Sequence, residues 1–402
     1  MDLSISKYFQ TPFLSNFTLT SSILPFTDQE LTKIDHELSE YERIYLDPDI
    51  EKHLYRRNEL MASFAISKAE NSELTLVEAQ KVYDLVLENE ELSFLKEKIN
   101  KQQPLSQKEF EKLEFYNIVN VFRHVNKPSF NIDDLTPKFI RNIHAQLTAG
   151  FDIFHQYIIG FTTYKSGMWR DNDEIIVGSY TPAPYWEIES GVVELIDFIR
   201  KNYSVTSIGV FHTALYALHP FNNGNKRVCR VLEHLLLKGL GLNPKNLYST
   251  SFYYHKEKNR YYKYLLASLE RKNLTHFVAF FQEALFISAV TTVKTSLEIK
   301  RAEFLYRQEP TDQLKLIAKP LLKRKEMQYK NLRKLVVGKM AEQTFVTNLQ
   351  LGVEKQILAK REEGRSVYYC LKFTSKEEQI ISRWLEIGKK KLTYIPDSIR
   401  LV

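Results

Sequence analysis

His219-Pro-Phe-Asn-Asn-Gly-Asn-Lys-Arg-Val-Cys-Arg230 places a titratable base, a glycine turn and three cations side by side, directly after an apolar segment. That segment, Ser207–Leu218, repeats Phe211, Leu215 and Leu218 on one helical face, and the helical period resumes over Arg227–Gly239. Gly224 interrupts it, so His219 falls at a helix end and the loop feeds the start of the next helix. Backbone N–H groups at a helix start lack internal partners and lie at the positive end of the helix dipole, which suits phosphate. Arg227 and Arg230 are three apart and project from neighbouring positions of the first turn. Guanidiniums above a nest of amides describe a polyphosphate site. His219 at the lip of the loop could take a proton from an incoming hydroxyl. Each residue alone is equally explained as a helix cap or a surface cation; the combined spacing points to phosphoryl or nucleotidyl transfer.

Composition sets the frame around this motif. The chain has 402 residues, 44% of them apolar and 26% charged, as in soluble proteins with two or three domains. Its two cysteines, Cys229 and Cys370, imply no disulfide framework. No stretch reads as the run of about 20 apolar residues that a membrane span needs. The start, MDLSISKYFQ, lacks the pattern of a secretory signal, and the expectation is a cytoplasmic protein without a membrane partner. Net charge is uneven: residues 300–402 carry 23 basic and 12 acidic side chains, a balance of +11, whereas residues 1–299 balance at −4. A basic terminal module could meet an acidic partner, or simply present a solvated lysine-rich surface.

Helical periodicity covers residues 55–67, 75–100, 107–125, 136–147, 185–202, 207–218, 227–239, 256–270 and 275–294. Gly167–Gly178, with its polar turn cluster and short β-branched run before Thr181-Pro-Ala-Pro184, predicts a small hairpin inside this helical body. Beyond residue 300 the pattern reads helix (331–340), helix (344–360), hairpin (361–373), the order of a winged helix-turn-helix with Glu363-Gly364-Arg365 at the wing tip.

HPFNNGNKRVCR closely resembles the signature of the Fic/Doc family, His-Pro-Phe-x-Asp/Glu-Gly-Asn-Gly/Lys-Arg-x-x-Arg. Gly167-x-Trp-Arg, Ile175-Ile-Val-Gly178 and Thr181-Pro-Ala-Pro184 resemble the family's flap, and Arg260-Tyr-Tyr262 and Phe277–Phe286 resemble the helices after the motif. The resemblance spans roughly residues 50–290. It implies a mainly α fold: a Fic-type helical bundle with a small β-hairpin flap, followed by the winged-helix-like domain. The expected divisions are residues 1–105, an N-terminal helical region; 106–295, the catalytic core; and 296–402, the basic C-terminal domain. The implied activity is transfer of AMP from ATP to a Ser, Thr or Tyr hydroxyl of a protein, which could be the chain itself. His219 would be the general base. Phe221, Asn223, Gly224, Asn225, Lys226, Arg227, Arg230 and Tyr261 would contact or support the nucleotide. Ile176, Val177 and Gly178 would align the target, and Asn223 would ligate Mg²⁺.

Two positions depart from the commonest signature. Asn223 replaces an acidic metal ligand, and a neutral amide oxygen is weaker toward a hard dication. Lys226 replaces a glycine and resembles the Doc branch, in which the nucleotide is reversed and phosphate is transferred, although that branch typically lacks an arginine at the position of Arg230. Phosphotransfer is therefore the second expectation, and a DNA-binding regulator with a degenerate core the third, its tail binding DNA weakly. Homodimerisation also stays open. Ile66-Ser-Lys-Ala-Glu-Asn71 resembles the family's inhibitory helix, with Ile66 in the usual Ser/Thr slot. By that resemblance Glu70 would pair with Arg230 and occupy the γ-phosphate position. His144, on an apolar helix face, and His212, beside Phe211 and Leu215, read as packed histidines.

Overall fold

The computed structural model describes residues 5–126, 130–161 and 164–399. The chain forms two compact units, residues 1–40 with 55–288, and residues 41–54 with 289–402. In order, its first helices are α1 (Pro12–Ser15), α2 (Asp28–Tyr45), α3 (Pro48–Lys68), α4 (Leu76–Leu87), α5 (Ser93–Asn100), α6 (Gln107–Asn126) and α7 (Pro137–Leu147). Then come α8 (Ile188–Lys201), α9 (Val205–Leu218), α10 (Asn225–Gly239), α11 (Thr250–Lys256), α12 (Lys258–Glu270) and α13 (Thr275–Arg307).

Local chemistry explains several of these boundaries. Thr75 and Glu78 form a reciprocal capping box at the start of α4, and Ser204 caps α9 by accepting from the Ser207 amide. The helix expected across residues 75–100 is two helices. Asn89 turns left-handed (φ 58°), and the Glu90 amide donates back to the Leu85 carbonyl, a Schellman-type stop that polar Glu88-Asn-Glu did not advertise.

No boundary follows residue 105. Leu60 and Phe64 of α3, Val82, Tyr83 and Val86 of α4, and Phe110, Phe115 and Val119 of α6 share one core with Phe151, Phe154 and Tyr164. The expected N-terminal region thus shares its core with the helices that follow, because its apolar faces are buried by α6. Every residue of α9 is buried, as a helix apolar all round must be, so the motif histidine emerges at the end of a central helix.

Two further expectations need correction. Among the described residues, α13 is long and apolar enough to cross a membrane, but 83% of its apolar window is buried inside the protein, as in a core helix. The hairpin expected at residues 167–178 is an irregular loop, reduced to one isolated bridge between Val177 and Tyr180 around Gly178 (φ 63°). Arg170 takes up the neighbouring carbonyls, as described below, and they do not form a ladder.

The second unit adds α14 (Asp312–Ala318), β1 (Met327–Gln328), α15 (Tyr329–Val336), α16 (Glu342–Glu354), β2 (Leu358–Glu363), β3 (Ser366–Leu371) and α17 (Lys376–Lys391). The antiparallel sheet runs β1-β3-β2, with Leu358 opposite Leu371 and Glu363 opposite Ser366. Leu314, Ile317, Leu332, Phe345, Leu349 and Leu358 close its core. α16, the second helix of the pair before the hairpin, contains no Lys or Arg and has Glu342 and Glu354 at its ends.

Candidate functional site

α9 ends at His219, whose backbone is left-handed (φ 51°, ψ 60°) and whose amide bonds back to the Leu215 carbonyl. That turn throws the chain into the loop 220–224, and Gly224 (φ 80°) opens α10. A side chain at Gly224 would be strained and would press on Arg227 and His144, its Cβ 3.3 Å from Arg227 Nη2. Asn225 locks the loop. Its Oδ1 accepts from the Phe221 amide at 3.0 Å, and its Nδ2 donates to the Phe221 carbonyl at 2.7 Å. Phe221 is fully buried beneath the loop.

Sequence reasoning missed two of the residues that fix this loop. The His144 ring stacks on Phe221, centroids 3.8 Å apart. Its Nδ1 accepts from the Gly167 amide at 2.9 Å, which leaves Nε2–H to donate to the Asn223 carbonyl at 3.0 Å. Burial depresses its pKa to about 4, keeping this neutral bridging tautomer. Arg170 is also buried. Its Nε donates to the His219 carbonyl at 2.8 Å, Nη1 to the Asn172 carbonyl at 2.6 Å, and Nη2 to the Ala183 carbonyl. The Arg170 amide donates to the Pro220 carbonyl at 2.9 Å. One arginine thus ties both the backbone around His219 and the segment 172–183 together. Tyr180 adds a bond to the Ala217 carbonyl at 3.2 Å. A hydrogen-bonded Arg in the Gly-x-Trp-Arg stretch was the available signal. Ile176 stands exposed, and Val177 and Gly178 form the small turn beside it.

His219 is itself buried, and burial together with the Arg170 charge lowers its pKa to about 4. It is therefore neutral near pH 7 and able to accept a proton.

The cations lie where the helix turn predicts, but their partners differ from expectation. Glu70, just past α3, does not pair with Arg230. Its Oε2 lies 3.3 Å from Lys226 Nζ, and its Oε1 lies 3.8 Å from Arg227 Nε. Lys226 also donates to the Ala69 carbonyl at 3.1 Å, as does the Tyr262 hydroxyl at 2.9 Å. The long lysine chain reaches the 69–70 turn from the first turn of α10, ahead of Arg230. Burial works to raise the Glu70 pKa, yet Lys226, Arg227 and Arg230 together hold it below the usual carboxylate value. Arg230 donates to the Ala65 carbonyl at 3.0 Å and lies over the rings of Tyr261 and Tyr254, at 4.6 and 5.4 Å. Tyr261 is fully buried and supports this arginine.

Arg227 is fully buried and pairs with Glu114 of α6, Nη1 to Oε1 at 2.9 Å. Burial pushes the Glu114 carboxyl up to about 7 against the pull of Arg227. Nothing in the sequence separated Glu114 from Glu109 and Glu111 on the same helix.

A magnesium ion finds little here. Asn223 Oδ1 already accepts from the Gly224 amide at 2.8 Å, and no group of three His, Cys, Asp or Glu side chains suited to a metal occurs among the described residues. The residues present do not fit a protein-held dication.

A buried histidine at a helix end, a locked glycine loop and a cationic first turn stand together where α9 passes into α10. Residues 134–237 match the model of the Fic/DOC family, and the chain carries a Fic/DOC-family domain. A relative from Aquifex aeolicus (strain VF5), described as a probable protein adenylyltransferase, is 29% identical over 87 residues. That match takes in 21% of this chain and 27% of the relative, so the chain aligns with about a quarter of the protein it matches. Among solved structures, Fic-1 (residues 134–508) from C. elegans is similar with a TM-score of 0.50 and 14% identity, covering 67% of this chain and 72% of that one. A Fic family protein from Desulfovibrio desulfuricans G20 shares 17% identity with a TM-score of 0.49, covering 88% of this chain and 99% of its own. The mainly α fold is thus similar to that of the Fic-1 structure.

Proposed function

We propose that the chain is a protein adenylyltransferase, held in check by Glu70. The supporting observation is the neutral, buried His219 at the lip of a loop followed by Lys226, Arg227 and Arg230, with a carboxylate seated among these cations. In this reading a target Ser, Thr or Tyr hydroxyl gives its proton to His219. Its oxygen bonds to the α-phosphorus of ATP, and the bond from that phosphorus to the bridging oxygen breaks. Pyrophosphate leaves, and AMP remains on the target. Arg170 and His144 hold the loop through the His219 and Asn223 carbonyls.

Mass spectrometry after incubation with ATP tests this directly. The Glu70→Gly form should gain the mass of AMP on itself or on a target protein. A gain of phosphate alone would replace the reading with phosphotransfer, the alternative raised by Lys226. No gain with ATP would leave neither. The winged-helix reading of the second unit rests on its order of helices and hairpin. The absence of cations on α16 gives duplex DNA binding through that helix no support.

The depressed His219 pKa also fixes a pH dependence. A base is active when unprotonated, so transfer should persist as pH falls below the ordinary histidine value of 6.5 and be lost only as pH approaches about 4. The profile of kcat/KM for the Glu70→Gly form checks this. An acid limb centred between 6 and 7, on the order of an ordinary histidine, would remove His219 from the role.

A further inference from the structure

The segment from Met168 to Val193 exposes large apolar side chains: Met168, Ile176, Tyr185, Trp186 and Val193, with Trp186 at 65%. Trp186, Glu189, Ser190, Val193 and Asp197 recur at three and four and form the solvent face of α8 and the turn that leads into it. The Tyr185 and Trp186 rings meet edge to face, centroids 5.2 Å apart. Such a pair left in water marks a binding surface more often than a random one. This face is tied to the motif. The Tyr185 amide donates to Asp173 Oδ1 at 2.8 Å, the same oxygen accepts from Arg170 Nη1 at 3.0 Å, and Arg170 Nε holds the His219 carbonyl. Trp169, its ring 4.9 Å from that of Phe221, donates through Nε1 to the Glu189 carboxylate. Its charge is one-sided. Residues 166–199 contain seven acidic side chains and one basic, Arg170, which is buried. Nearby cations are engaged: Lys165 pairs with Asp171, and Arg141 lies over the Trp169 ring. Glu174, Glu189 and Asp197 are exposed, and no other described side chain engages Glu174 or Asp197.

We propose that this face docks the target protein through a basic segment, with arginine or lysine beside apolar residues, and so brings its hydroxyl to His219. This rests on the transferase reading above and names the class of target. A guanidinium or ammonium over the exposed Trp186 ring gains cation–π attraction and meets carboxylates with no counter-charge of their own. Apolar neighbours in the same segment cover Tyr185 and Val193. Nucleic acid or an anionic lipid surface would be repelled by the same carboxylates, and so would ATP. The two substrates of the transfer are thereby sorted by charge, the nucleotide to the motif cations and the target to the acidic aromatic face.

The test uses the full chain carrying Glu70→Gly and two fluorescent peptides. Each has Ser, Thr and Tyr at its centre and leucines on both sides; one adds flanking arginines, the other glutamates in their place. Binding is read by anisotropy, and transfer from ATP by mass spectrometry. The arginine peptide should bind about tenfold tighter than the glutamate peptide at about 50 mM salt, and the preference should narrow at about 500 mM. Glu174→Lys combined with Asp197→Lys should remove most of the preference. Trp186→Ala should weaken the arginine peptide about fivefold. All three substitutions are at exposed positions, so thermal stability should stay close to that of the background protein. Equal affinity for the two peptides, binding of neither, or a preference unmoved by these variants would overturn the proposal. A dimer that Trp186→Ala disperses would assign the face to a second copy and overturn it as well. Preferred binding of the arginine peptide without transfer to it would defeat the transferase reading alone. Transfer to proteins without the charge preference would defeat this proposal alone.

Discussion

Replacement of His219 by alanine should lower transfer about 10²–10⁴-fold, the usual contribution of a general base, while ATP still binds. The position complicates the variant. His219 is left-handed at φ 51°, where a β-carbon costs roughly 1–2 kcal/mol, and alanine offers no compensating side-chain bond. Asparagine tolerates this backbone better, so His219→Asn separates strain from chemistry. Both variants should lose activity to a similar extent, with His219→Asn closer to the parent in thermal stability. Calorimetry with ATP should show binding within a few-fold of the parent, because the cations are untouched. Activity of His219→Asn within a few-fold of the parent would mean that the hydroxyl proton goes elsewhere.

The motif was legible because its chemistry lies in one contiguous stretch. His219, Gly224, Lys226, Arg227 and Arg230 are positioned by helix geometry alone, and their order along α9, loop and α10 follows from apolar period and one glycine. What holds the loop was not legible, since His144 and Arg170 act through backbone carbonyls 79 and 49 residues away. A histidine on an apolar face reads as core, and His144 is indeed packed; only the Asn223 carbonyl above it gives the packing a purpose. The expected hairpin failed for a related reason. Turn chemistry at 167–178 was real, but Arg170 ties Asn172 and Ala183 to the motif loop, and only Val177 and Tyr180 bridge. The break between α4 and α5 turned on a single left-handed asparagine, which periodicity does not see. The resemblance implied Arg230 as the partner of Glu70, whereas the carboxylate lies beside Lys226 and Arg227. Which cation a carboxylate meets depends on how α3 lies across α10, a tertiary relation with no local signature.

Removal of that carboxylate should have the opposite effect to the loss of His219. Glu70→Gly should raise transfer with ATP on the order of 10²-fold, measured as self-modification or as modification of an added target. The argument runs through charge and space. Glu70 stays ionised because Lys226, Arg227 and Arg230 outweigh its burial. Its Oε2 occupies the outer coordination of Lys226, and the Ala69 carbonyl beside it takes another of the lysine's three donors. An incoming phosphate tail wants the same ammonium and meets a like charge in its path. ATP would then bind with its tail displaced and its α-phosphorus out of line with the hydroxyl that His219 activates. A misplacement of about 1 Å is enough for a 10²-fold loss. Glycine removes both charge and bulk at the end of α3, where a helix tolerates it, so the fold should be little affected. Glu70→Gln separates the two effects. It keeps the volume, removes the like charge, and should activate only in part. Glu70→Gly with Arg230→Ala should still lose activity, but through a missing phosphate ligand and not a broken Glu70–Arg230 pair, because Arg230 is held by the Ala65 carbonyl whether or not Glu70 is present. In the parent background, therefore, Arg230→Ala should bring no activation at all. Equal rates for the parent and Glu70→Gly would reduce Glu70 to a structural residue that neutralises Lys226; activation by Arg230→Ala alone would restore the pairing that the structure rejects.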